Sequence, residues 1–172
     1  MSRVCVFGPR LAALALSGVL VACSSAPPRE QPIRSIESPI EQVTQAFGDE
    51  IALRAIAQVG TAYRYGGADL KGFDCSGLVF FIHRELGLTV PRTAADQYSA
   101  SRPVNVHALA PGDLLFFRTT NTKRITHVGI YAGEGRFVHA PQTGRTIELR
   151  DLRDDYYGPR LVGAGRLHDD AT

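Results

Sequence analysis

Thr126-His127-Val128-Gly129-Ile130-Tyr131 runs into Gly133-Glu134-Gly135 and returns as Arg136-Phe137-Val138-His139-Ala140. From Ile125 onward the side chains alternate with period two, and the glycine-rich triplet is a turn signal, so the stretch spells a β-hairpin. Before it, Pro111-Gly112-Asp113 turns into the apolar run Leu114-Leu115-Phe116-Phe117, a buried strand. After it, 146–149 and 161–167 read as further strands. The first half of the chain has a different period. Ser38-Pro39-Ile40-Glu41 resembles a capping box with proline at the first helical position. Gly48 is expected to break that helix, with Asp49 capping a second start. Ile51, Ala55, Ile56 and Val59 then recur at helical spacing up to Gly60. Asp74 or Cys75 opens the next helix, whose inner stripe is Leu78, Val79, Ile82 and Leu86 and which ends at Gly87. A short helix is expected over 93–99. Helices first and an antiparallel sheet after them make an α+β domain.

The hairpin carries two histidines, His127 and His139. An odd-numbered turn puts both rings on one face of the sheet, and an even one puts them on opposite faces unless a bulge intervenes. The partner that gives them meaning is Cys75, in Phe73-Asp74-Cys75-Ser76-Gly77-Leu78. A thiol is a weak nucleophile until it ionises. The helix dipole favours the thiolate by about 0.3–1 kcal/mol, less than the roughly 1.4 kcal/mol of one pKa unit. An imidazole must therefore act as ion-pair partner and proton acceptor, and His127 is the candidate. His139 is then the group that orients it. The N–H of Cys75 and the hydroxyl of Tyr63 are candidate donors to an oxyanion. Asp74 either caps the helix or binds a cationic group of a substrate. The same cysteine and two histidines are also a possible zinc or copper ligand set, but no closely spaced ligand pair accompanies them. His83, His107 and His168 read as structural. No metal or cofactor is expected.

The amino terminus has its own signature. Arg3 and Arg10 precede an apolar run over 11–21, too short to span a membrane as a helix of about 20 residues. The run ends Leu20-Val21-Ala22-Cys23-Ser24-Ser25, which looks like a bacterial lipobox. Residues 1–22 are then a signal peptide, and Cys23 is acylated and tethers the protein to a membrane. Ser24, rather than an acidic residue, favours the outer membrane by resemblance to lipoprotein sorting rules, so the expected location is its periplasmic face. Proline-rich residues 24–37 form a tether, within a segment 23–47 that also holds the first helical stretch. The catalytic domain is expected over 48–168. Arg3 and Arg10 account for the whole formal charge of +2, so the chain from Cys23 onward is balanced, and nothing in it argues for nucleic acid. Cys5 leaves with the leader, and Cys75 remains as a thiol with no cysteine to pair with.

Taken together, the motifs resemble the NlpC/P60 family of cell-wall cysteine peptidases from about Asp49 to Leu167. They are Tyr63-Arg64-Tyr65-Gly66-Gly67, Phe73-Asp74-Cys75-Ser76-Gly77-Leu78, Pro91-Arg92-Thr93, Gln97, Pro111-Gly112-Asp113-Leu114, His127-Val128-Gly129-Ile130-Tyr131 and Phe137-Val138-His139-Ala140. The resemblance implies a pared-down papain-like fold, with N-terminal helices on a central antiparallel sheet. It implies Cys75 as nucleophile, His127 as general base and acid, His139 as third polar residue and Tyr63 as oxyanion donor. It places Asp74 and Ser76 where relatives contact the free amino end of a peptidoglycan stem peptide. The implied reaction is hydrolysis of the bond between the γ-carboxyl of D-glutamate and a diamino acid, usually meso-diaminopimelate. The competing expectations are a non-catalytic wall-binding lipoprotein and a related amidase or acyl transferase.

Overall fold

A computed structural model describes residues 38–167. The leader, Cys23, the tether over 24–37 and His168 lie outside the described residues. Among the described residues, no helix is long and apolar enough to cross a membrane.

Helix α1 spans Pro39–Ala57, with the Ser38 hydroxyl accepting from the N–H of Glu41. It is one helix, without the break expected at Gly48. Its backbone is instead the surface that a neighbouring turn approaches. The Pro111-Gly112 turn comes so close that a Cβ on Gly112 would stand 2.6 Å from the Gly48 carbonyl oxygen and 2.7 Å from its Cα. Gly112 also has φ +88°, a region that favours glycine. Close backbone approach outweighs the roughly 1 kcal/mol that a glycine costs inside a helix.

A small hairpin, β1 (Ala68–Asp69) and β2 (Gly72–Phe73), delivers the chain to helix α2, Cys75–Glu85. Helix α3 is Ala94–Ala100, capped by Thr93. Strands β3 (Arg102–Val104), β4 (Leu114–Phe117), β5 (His127–Gly133), β6 (Arg136–His139), β7 (Glu148–Asp151) and β8 (Leu161–Arg166) come after it. They form an antiparallel sheet of order β3-β8-β4-β5-β6-β7. Strands β1, β2 and β3 are too short to show a period, and sequence patterning does not reveal them. Strand β7 lies two residues later than 146–149, because Thr146 is held in an isolated bridge to Ala62 instead.

The sheet is buried on both faces, which is why β4 reads as a continuous apolar run. Leu114, Phe116, Val128, Ile130 and Val138 pack under Ile51 and Ala55 of α1 and Leu78, Val79 and Ile82 of α2. The alternate residues Leu115, Phe117 and Phe137 form a second cluster on the far face with Tyr157 and Ala164. The domain is α+β, as the order of periods predicts.

Candidate active site

The β5–β6 hairpin answers the question of parity. Its turn is Glu134-Gly135, an even-numbered loop, with φ of 53° and 71° as a type I′ turn needs. The register shifts between Tyr131↔Phe137 and Gly133↔Arg136, so Ala132 is an extra residue in β5. That bulge restores the phase. His127 and His139 face the same side, and His127 Nε2 lies 3.0 Å from His139 Nδ1. The rings meet edge to face, 5.1 Å between centroids and 84° between planes.

Aromatic rings enclose the pair. Tyr157 stands 4.6 Å from the His139 ring and 5.6 Å from His127, Phe137 is 5.0 Å from His139, and Phe117 is 6.0 Å from His127. His139 is fully buried and His127 nearly so. Burial, reinforced by its neighbour His139, lowers His127 to about 3. Burial, then the cations Arg150 and Arg145, lowers His139 to about 3. Both imidazoles are neutral at pH 7. Tyr157 is invisible to sequence patterning because its proximity to the histidines depends on the loop before β8.

Cys75 begins α2, with Asp74 as its cap. The sulfur accepts from the N–H of Val128, the residue next to His127, and from the N–H groups of Cys75 and Ser76. These donors favour the thiolate, but burial outweighs them, and with the Asp74 carboxylate nearby the thiol is raised. The expected pre-formed thiolate–imidazolium pair therefore gives way to a neutral thiol and a neutral imidazole, linked through Val128, whose N–H meets the sulfur and whose chain neighbour is His127. The thiol is half-buried and opens on a cleft of 530 Å³ shared with Tyr63, Tyr65, Asp74, Ser76 and Arg92. Burial, then Cys75 and Asp74, raises the Tyr63 phenol, keeping it a donor beside the sulfur.

Asp74 is a cap first: its Oδ1 accepts from Gly77 N–H at 2.6 Å and its Oδ2 from Gly66 N–H at 3.0 Å. It also receives Arg92 in a two-pronged pair, at 2.9 and 2.8 Å, while Arg92 reaches the Ser76 hydroxyl at 3.1 Å and the Gly67 carbonyl at 3.2 Å. Gln97, buried, donates to the carbonyls of Ser76 and Pro91. Gly77 is required because any Cβ there would collide with the Gly67 carbonyl oxygen. The glycine turn and the helix that Cys75 begins are thus locked together. Arg92 and Gln97 belong to the family-like motifs, but only their contacts show what they do.

The metal reading finds no support in this arrangement. The facing nitrogens of the two histidines are bonded to each other, and among the described residues no group of three His, Cys, Asp or Glu side chains is placed to hold a metal ion.

The buried imidazoles link the site to acid stability. Each is held at about 3 in the folded protein and returns to about 6.5 when unfolded. Between these values the unfolded chain binds more protons, so stability is full above pH 6.5 and is lost as pH falls toward 3. Urea midpoints should drop over that window. His139→Gln should flatten the drop, and an unchanged slope would contradict the burial argument.

A model of the NlpC/P60 family matches residues 60–166. The chain is 40% identical over 118 residues to murein DD-endopeptidase MepH of Escherichia coli (strain K12), covering 66% of this chain and 44% of that protein. It is 39% identical over 109 residues to a gamma-D-glutamyl-L-lysine dipeptidyl-peptidase of Bacillus subtilis (strain 168), covering 63% and 37%. The chain therefore spans less than half the length of these curated relatives. Among solved structures, an NlpC/P60 family protein from Bacillus cereus ATCC 10987 superposes with a TM-score of 0.66 at 31% identity, covering 70% of this chain and 40% of that one.

Proposed function

The chain belongs to the NlpC/P60 family, and on that premise we propose that it is a peptidoglycan peptidase of the cysteine type. Its bond is the γ-D-glutamyl–diamino acid linkage of stem peptides, with meso-diaminopimelate as the diamino acid. The observation that carries this reading is the pair of buried neutral imidazoles, 3.0 Å apart, on the hairpin whose first strand also touches the Cys75 sulfur through Val128.

In this mechanism His127 takes the thiol proton as sulfur attacks the amide carbonyl. The oxyanion is met by the Cys75 N–H and the Tyr63 hydroxyl. His127 then gives its proton to the leaving amine, and a thioester remains. Water, activated by the same imidazole, releases the acid and regenerates the thiol. Asp74 and Ser76 sit on the cleft wall with Arg92, positioned to receive the amino end of the stem.

The named relatives favour two bonds. One is a gamma-D-glutamyl peptidase, which supports the linkage proposed here. The other is a DD-endopeptidase, which favours a cut in the crosslink between stems. Mass spectrometry of purified sacculi after digestion separates them. A new D-glutamyl end and a free diamino-acid amine are expected. Products ending in D-alanine would move the activity to the crosslink, and intact stems throughout would defeat both readings and favour a binding role.

We further propose that Cys23 carries acyl chains that hold the domain at the periplasmic face of the outer membrane. The support is Leu20-Val21-Ala22-Cys23 after a short apolar run, together with the roughly 0.8 kcal/mol that each buried methylene contributes to anchoring. Labelled palmitate should enter the protein and not Cys23→Ser, which should move to the soluble fraction. Equal labelling of both would sink the assignment.

A further inference from the structure

We infer that Glu148 is a positioning residue that selects the working tautomer of His127, acting through His139. The inference rests on the catalytic role proposed for His127 and adds a member to the site that no motif contains.

Accepting the thiol proton at Nδ1 requires His127 to carry its own proton on Nε2. That N–H faces Nδ1 of His139, 3.0 Å away. His139 can accept there only if its own proton is on Nε2. If His139 is instead protonated on Nδ1, it donates to His127 Nε2, and His127 is forced into the tautomer whose Nδ1 is already occupied. Two imidazoles in series therefore pass the choice outward, and something must settle it at the far end.

Glu148 is at that end. Its Oε1 lies 3.4 Å from His139 Nε2, and both atoms are buried and make no hydrogen bond elsewhere or at this distance. The approach is longer and less aligned than a good hydrogen bond, but a carboxylate at this place accepts and cannot donate. It favours Nε2–H on His139, hence Nε2–H on His127. Arg145 lies 2.7 Å from Oε2 and Arg150 lies 3.2 Å from Oε1. Of the other groups around His139, Phe137 and Tyr157 present rings, Asp154 is turned to Arg150 at 3.8 Å and to the N–H groups of Tyr156 and Tyr157, and the cations Arg145 and Arg150 face the Glu148 carboxylate. During attack one proton moves from sulfur to His127 Nδ1, and the two N–H groups behind it stay in place.

Glu148→Gln makes the inference testable with one atom. Arg145 donates to the outer oxygen at 2.7 Å, whereas Arg150 Nε stands 3.2 Å from the inner one without a hydrogen bond, so the shorter contact keeps the amide carbonyl outside and turns the NH2 toward His139 Nε2. That NH2 donates where the carboxylate accepted, and both tautomers reverse. The full chain labelled with 15N-histidine, observed by long-range 1H–15N NMR at pH 7, reports this without any substrate. Wild type should show His127 and His139 protonated on Nε2, and E148Q should show both on Nδ1. Hydrolysis by E148Q should fall by about 100-fold or more, the scale of losing an imidazole base, while Glu148→Asp should retain the wild-type tautomers and most of the rate. Wild-type rings protonated on Nδ1, or E148Q tautomers unchanged, would overturn the inference even if E148Q proved hard to fold, since wild type alone gives the first result. Correct tautomers in a protein that cuts no stem would overturn only the substrate reading.

Discussion

Cys75→Ala is expected to lower stem-peptide hydrolysis by at least about 10^4-fold while leaving the fold intact. The loss comes from removal of the sulfur that forms the thioester in the proposed mechanism, and nucleophile deletions in comparable sites have effects of this size or larger. The fold should survive because position 75 is the first residue of α2, where alanine is the better helix former. The side chain is half-buried and touches backbone N–H groups rather than charged partners. A stability change within about 1 kcal/mol is expected, so circular dichroism and urea midpoints should match wild type as activity vanishes. Retained cleavage would remove Cys75 from the mechanism. The pH profile of wild type adds a second check. His127 is held near 3 and the thiol is raised, so the rate should plateau across neutral pH without an inflection near 6.5. Such an inflection would mean that the imidazole titrates in the free enzyme and that the neutral resting pair is wrong.

The nucleophile and both histidines are legible in the sequence because each sits in a string whose local geometry is nearly forced. Asp74-Cys75 is a cap and then a helix start, and His127 and His139 begin and end a hairpin. What joins them is legible only as a condition. Parity turns on one extra residue, Ala132, and an alternating pattern does not reveal a bulge that leaves the apolar positions in step. Arg92, Tyr157 and Glu148 are a different case. Their roles lie in side chains that meet across 18, 30 and 9 residues of chain, Arg92 to Asp74, Tyr157 to His127 and Glu148 to His139. No periodicity encodes such meetings. Gly48 shows the opposite failure: its local meaning, helix breaker, is overridden, and α1 runs through it with the Gly112 turn close against its backbone.

Arg166→Ala should destabilise the domain by about 3–5 kcal/mol, the largest effect expected outside the catalytic residues. Asp113 is fully buried at the foot of β4. Arg166 Nε donates to its Oδ1 at 2.6 Å and Nη2 to its Oδ2 at 3.0 Å, and Ala110 N–H adds a bond at 2.8 Å. The backbone of Asp113 meanwhile accepts from Tyr131 N–H at 2.7 Å. One residue thus fastens β8 through its carboxylate and β5 through its backbone carbonyl, at the end of the sheet away from His127. Taking away the guanidinium leaves a buried charge with a single N–H, which costs more than the pair itself contributes. Against a typical total of about 5–15 kcal/mol, the loss should lower Tm by roughly 10–20 °C. Arg166→Lys keeps the charge but loses the two-pronged geometry, so it should fall between. The double variant Asp113→Leu with Arg166→Met should recover part of the loss, because no charge is then stranded. If Arg166→Ala alone melts like wild type, water reaches Asp113 and this end of the sheet is not the anchor that its burial implies. Below its melting point Arg166→Ala should still cut at the wild-type rate, since His127 stands at the opposite end of β5 from the lost bond.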